Sequence, residues 1–133
     1  MTCTDANLIE HAASVRERAY APYSNFKVGA AIIDDKGNLH IGCNVENAAY
    51  PIGNCAEISA IASMIASGGS EIRKIAVVGG GETIEPCMPC GGCRQAIAEF
   101  SDDNTVVVIK NTDGSASSLT LNELLPHGFR LKS

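Results

Sequence analysis

The sequence predicts an α/β fold in which a mixed sheet is layered with helices. Hydrophobic periodicity switches between helical and strand spacing along the chain, and the elements run in the order α-β-β-α-β-α-β. Nothing in the 133 residues reads as a linker, a repeat or a low-complexity tract, so residues 1–133 are expected to form one domain. Hydrophobic residues make up 45% of the chain and charged ones 19%, which suits a globular core rather than disorder. Trp is absent, so Ala, Ile, Val and Leu must build that core.

Thr4 or Asp5 caps a first helix, whose stripe of Leu8, Ile9, Ala12, Val15, Arg16 and Ala19 carries it to about Tyr20. Pro22 cannot continue the backbone hydrogen-bond ladder and marks the stop. Residues 26–33 and 39–45 read as two strands around a turn at 34–38, in which Gly37 supplies a positive φ. Ile58, Ile61, Ala62 and Ile65 give helical spacing over 55–67, ended by Gly68-Gly69. Residues 72–78 form a buried strand, 93–100 a helix and 105–109 a further strand. The tail holds a short strand near Ser118 and a short helix over 121–125, stopped by Pro126.

The net charge is −5, and no run of Lys or Arg stands out. A nucleic-acid partner needs clustered cations against the phosphate backbone, so a small ligand of little charge is expected instead. Residues 1–7 are polar and lack the basic start and apolar stretch of a signal peptide. No stretch approaches the roughly 18 apolar residues of a membrane span, so no membrane partner and a cytoplasmic location are expected. In a reducing compartment the six cysteines are metal ligands or reactive groups more readily than disulfides.

Cys90-Gly91-Gly92-Cys93 is a CxxC pair at a helix start, and Cys55-Ala56-Glu57 sits at the start of the preceding helix. Free N–H groups and the partial positive charge of a helix N-terminus stabilise thiolates there. Glycines between the cysteines allow the backbone to approach closely. Cys55, Cys90 and Cys93 give three thiolate ligands for one Zn²⁺ and leave a fourth position open, as in catalytic sites, with Glu57 beside it as the catalytic carboxylate. Cys87 or Cys43 can instead close a four-thiolate structural site, and Cys90 with Cys93 can serve redox chemistry. Cys3 reads as an ordinary N-terminal residue. His11, His40 and His127 have no metal-like spacing and read as surface or cap residues.

Five stretches in order carry a family resemblance: residues 22–31 (PYSNFKVGAA), 42–51 (GCNVENAAYP), Cys55-Ala56-Glu57, 89–95 (PCGGCRQ), and Leu124-Leu125-Pro126 before Phe129. Together they resemble the zinc-dependent cytidine deaminases of the short, homotetrameric type. The resemblance implies a three-layer α-β-α fold with a mixed central sheet, one Zn²⁺ per chain and hydrolytic deamination of cytidine and 2'-deoxycytidine. It places the reaction in pyrimidine salvage, with hydroxide generated at zinc adding to C4 and Glu57 shuttling protons. It also implies substrate contacts. Asn44 and Glu46, two apart on an extended segment and so on one face, would hold the sugar hydroxyl. Phe26 would lie against the pyrimidine and Tyr50 near the ribose, with Ala56 a further substrate contact, while Phe129 would come from a neighbouring subunit of a homotetramer with shared active sites.

The resemblance breaks at Ile58, where many relatives carry an arginine bonded to the zinc thiolates. Arg94 and the two helix starts are then the available counterweights to three anionic ligands. Two other readings remain: deamination of a modified cytosine nucleoside of the blasticidin S kind, and a non-catalytic zinc-stabilised binding module.

Overall fold

Alternate residues of three neighbouring strands face opposite ways, and that alternation builds two cores. The structure, a computed structural model, describes residues 4–131. Its sheet runs in the order β2 (Leu39–Cys43), β1 (Lys27–Asp34), β3 (Ile72–Gly80), β5 (Val106–Lys110), β6 (Ala116–Thr120). On one face Ala30, Ile32, Ile75, Val77, Val107 and Ile109 pack against helices α2 (Ala56–Ala66), α3 (Gly91–Glu99) and α4 (Leu121–Leu124). On the other, Ala31, Ala76, Val78 and Val108 meet Leu8, Ile9 and Ala12 of α1 (Asp5–Arg16). The period of two along each strand thus yields three layers, α-β-α. Each fully buried Leu or Ile in these cores contributes on the order of 1.5–3 kcal/mol.

The sheet is mixed. β1 pairs antiparallel with β2 and β3, and β5 antiparallel with β6. β3 and β5 are parallel, and the crossover that parallel pairing requires carries α3. Both site helices therefore start at the same end of the sheet, where β1 begins and β3 finishes. Gly37 has φ +82° in the β1–β2 turn, and Gly68 has φ +95° just past α2, as the sequence predicts. Among the described residues no helix is long and apolar enough to cross a membrane.

Several elements differ from expectation. α1 ends at Arg16, not Tyr20. Residues 17–19 tighten into i→i−3 hydrogen bonds, because Tyr20 N–H must reach the Asn44 carbonyl at 3.0 Å and join an extended bridge with Val45. The second strand stops at Cys43 rather than residue 45, since Asn44 turns its carboxamide onto the backbone of residues 26–28. A two-residue strand β4 (Ile84–Glu85) beside β3 and a 3-10 turn (Tyr50–Ile52) were too short to carry a periodic signal.

His40 is a further correction. It is buried, and its Nε2 lies 2.7 Å from Asp34 Oδ2, while the other Asp34 oxygen accepts from Lys36 and Asn38 N–H at 2.9 Å each. The pair locks the β1–β2 turn at the end of the sheet away from the site helices. Cys3 lies outside the described residues.

Candidate metal centre and active site

Helix α2 begins directly after Cys55, and α3 directly after Cys90. Each cysteine occupies an N-cap in extended conformation, so each sulfur sits where the helix's first N–H groups are free. Cys90 Sγ accepts from Cys93 N–H at 3.5 Å. That backbone N–H is the main reason the Cys90 thiol lies below its ordinary pKa. Cys93, one turn into α3, completes the group: the three Sγ atoms lie within 4.8 Å of one another. Tetrahedral zinc with Zn–S near 2.3 Å needs sulfurs about 3.8 Å apart, so small side-chain adjustments suffice.

Burial, with the Glu57 carboxylate beside them, raises the Cys55 and Cys93 thiols. Thiols crowded against one another and a carboxylate favour a divalent cation, which deprotonates its ligands outright. Cys93 is buried while Cys55 and Cys90 are exposed, so the centre is open on one side. Cys43 and Cys87 fall outside the three-sulfur group, leaving the four-thiolate closed site without its fourth ligand. Cys87 still lines the neighbouring cavity, and burial pushes its thiol up to about 11.

Glu57, in the first turn of α2, is only 4% exposed. Burial raises its carboxyl above the usual range, while its own N–H and Cys93 pull the other way. A cavity of about 160 Å³ is lined by Cys55, Ala56, Glu57, Cys90 and Cys93 together with Val28, Asn44 and Cys87. Beside it, a cleft of about 410 Å³ is lined by Asn44, Glu46, Tyr50 and Cys55, with Tyr23 and Asn54. Asn44 and Cys55 belong to both.

Asn44 Oδ1 accepts from Val28 N–H at 2.8 Å, and Nδ2 donates to Phe26 O at 2.9 Å. One N–H and one lone pair of the carboxamide are left over. Glu46 accepts from Tyr23 N–H at 2.9 Å, from Ser24 N–H at 3.2 Å and from the Ser24 hydroxyl. The hydroxyl is the main reason its carboxyl lies below the usual range.

Phe26 lines neither of these cavities. It borders a separate depression with Arg16, Ser24 and Lys27. Phe129, 68% exposed, lines neither, and its backbone is bonded to the Gln95 side chain.

Residues 2–109 match the family model for the cytidine and deoxycytidylate deaminase zinc-binding region. The chain belongs to the cytidine deaminase family. It is similar to the cytidine deaminase of Sporosarcina psychrophila, at 42% identity over 92% of this chain and 88% of that one. The cytidine deaminase of Halalkalibacterium halodurans is 43% identical over 92% of this chain and 91% of its own length. A crystal structure of cytidine deaminase from Burkholderia pseudomallei superposes with a TM-score of 0.86 at 45% identity, covering 95% and 99% of the two chains. Family membership makes the chain a zinc-binding enzyme, and its three thiols fit that metal.

Sequence reasoning missed part of the site's support. Gly42, on β2, faces α2 so closely that a Cβ there would lie 2.3 Å from Ala60 N. A Cβ at Gly79 would lie 2.8 Å from Cys87 Sγ and 3.2 Å from Phe26 Cε1. By contrast, a Cβ at Gly91 would meet nothing within 4 Å outside its own helix and chain neighbours, so the close packing between elements occurs at these other glycines. Arg94 was expected to balance the thiolates. Its guanidinium clamps backbone, with Nε donating to Pro89 O and Nη1 to Leu124 O, both at 2.8 Å.

Proposed function

We propose that the enzyme hydrolyses the exocyclic amino group of cytidine and 2'-deoxycytidine, yielding uridine and 2'-deoxyuridine with release of ammonia, a reaction of pyrimidine salvage. One observation carries the reading: a single cavity is lined by three thiols suited to zinc and by one carboxylate, Glu57.

Cys55, Cys90 and Cys93 would hold the zinc, which would supply Lewis-acid activation of water at neutral pH. Glu57 would take a proton from water and deliver it to ring N3 as the C4–O bond forms, then take the proton of the new C4 hydroxyl and deliver it to the amine as the C4–N bond breaks and the C4 carbonyl forms. Its burial excludes bulk water and keeps the carboxyl able to exist in both protonation states. Ala56, between ligand and acid, lies against the base.

Glu46 and the unused N–H and lone pair of Asn44 hold the sugar hydroxyl in the adjoining cleft, whose wall includes Tyr50. Phe26 lies against the pyrimidine, an assignment that rests on the family resemblance; its ring neighbours Gly79 together with Cys87, which lines the cavity. The ligand is a small nucleoside rather than a nucleic acid, in keeping with a charge of −5.

The enzyme works as a homotetramer in which Phe129 reaches a neighbour's site. Supporting this, Phe129, Tyr50 and Ile52 leave 68%, 76% and 66% of their surfaces exposed in one chain, apolar area that a subunit contact would bury. A cytoplasmic location fits ligands that must stay reduced.

An absorbance assay with cytidine, deoxycytidine and cytosine, run beside a zinc determination, tests the reading. Turnover of both nucleosides but not the free base is expected. Zinc-loaded protein inert toward all three would contradict it.

A further inference from the structure

Residues 26–28, which lead from the loop into β1, are gripped from two directions. From β2, Asn44 takes Phe26 O and Val28 N–H, as described. From α1, Arg16 takes the carbonyl between them: Nε donates to Lys27 O at 3.1 Å. The same guanidinium reaches across the end of the sheet, Nη2 donating to Gly80 O at 2.9 Å and Gly81 O at 2.7 Å, and Nη1 to Glu17 Oε1 at 3.0 Å. Lys27 and Gly80 form the last rung of the β1–β3 ladder, so Arg16 sets the spacing of the two strand ends nearest the site.

Arg16 is 6% exposed. Burying a guanidinium is costly, and well-packed apolar side chains stabilise a fold as well or better. A buried cation whose donors go to carbonyls at two neighbouring strand ends, Lys27 on one side and Gly80 and Gly81 on the other, is therefore better accounted for by the geometry it imposes than by stability. A guanidinium carries its donors on separate nitrogens in one plane and so reaches carbonyls on both strand ends, which an ammonium, with all its donors on one nitrogen, matches less well.

We propose that Arg16 is a positioning residue for the nucleoside site. By fixing the Lys27 carbonyl it fixes the segment on which the Asn44 carboxamide hangs, and so aims Asn44 into the two cavities it lines. This rests on the reading of Asn44 as a sugar contact.

The test is a double-mutant cycle between Arg16→Lys and Asn44→Ala, read by calorimetric uridine binding and by KM and kcat for cytidine. Arg16→Lys is expected to weaken uridine binding and raise KM by roughly 5–20-fold, with kcat within about threefold and zinc unchanged. In the Asn44→Ala background the same substitution should add less than about twofold. If Arg16→Lys does not yield soluble protein, Arg16→Gln carries the same cycle.

The proposal is overturned if Arg16→Lys lowers only the unfolding temperature and leaves uridine affinity intact. It is equally overturned if the penalties of the two substitutions multiply. Asn44→Ala with unaltered uridine affinity would remove the sugar-contact reading and this proposal together. A large Asn44→Ala effect beside a silent Arg16→Lys would remove the positioning role alone.

Discussion

Gln95 and Phe129 hold each other by two hydrogen bonds: Gln95 Nε2 donates to the Phe129 carbonyl at 2.7 Å, and the Phe129 N–H donates to Gln95 Oε1 at 3.3 Å. Gln95 lies two residues beyond Cys93 on α3, so one helix fixes both a metal ligand and the place from which Phe129 projects. Gln95→Ala is expected to free the tail without touching the thiols. KM for cytidine should rise several-fold while zinc content stays constant. Phe129→Ala should do the same. Coexpression with Glu57→Ala chains should restore tight binding, because the Glu57→Ala subunits lend their Phe129 to intact catalytic centres. Kinetics on mixed oligomers purified by differential tags would check this. No recovery on mixing would remove the shared-site assignment.

The contact between Gly42 and α2 makes a sharper structural prediction. A Cβ at Gly42 meets backbone, at 2.3 Å from Ala60 N and 2.8 Å from Ala56 O, and backbone cannot rotate away. Gly42→Ala should push α2, and with it Cys55 and Glu57, off the sheet. Loss of zinc and of most activity is expected. Gly37→Ala is the control. Its φ is +82° but nothing lies near it, so only about 1 kcal/mol of strain is expected, with zinc and activity retained. Metal analysis and chemical denaturation of the two variants would separate them.

The Asp34–His40 pair predicts a pH dependence of stability rather than of catalysis. Burial raises the Asp34 carboxyl, but the His40 hydrogen bond and the N–H groups of Asn38 and Lys36 outweigh it, and the net pKa falls below the usual 3.8. A carboxyl depressed in the folded state contributes stability that is complete above its unfolded value and is lost as pH falls through the folded one. Asp34→Ala should therefore cost about 3 kcal/mol near neutrality. The gap from the parent should stay level down to about pH 5 and narrow below pH 4. Urea titrations across that range would show it, and a gap that widened toward acid would contradict the assignment.

Most of the fold was legible because it rests on local periodicity. The unbroken apolar runs within 72–78 and 105–109 mark strands covered on both faces, and Gly37 and Gly68 sit where positive φ is required. The metal ligands were legible for a similar reason, since cysteines at helix starts are recorded in a few adjacent residues. What stayed hidden depends on partners far along the chain. Arg16 looked like one more position on a helical stripe, and only the fold brings it to Gly80 and Gly81, more than 60 residues on. His40 looked like a surface residue until Asp34 was folded against it. Family resemblance offers Asn44 as a sugar contact, but its grip on residues 26–28 was not legible. Arg94 was legible as a cation beside Cys93, but its donors go to carbonyls that local sequence does not mark.

Glu57→Gln, assayed on cytidine with zinc quantified in the same preparation, tests the central claim most directly. The substitution keeps the size of the buried side chain and removes its ability to carry a proton. Zinc near one per chain, an unchanged fold and a kcat lower by roughly 10²–10⁴ are expected. Retention of full turnover, with zinc bound, would contradict the assignment of Glu57 as the proton carrier.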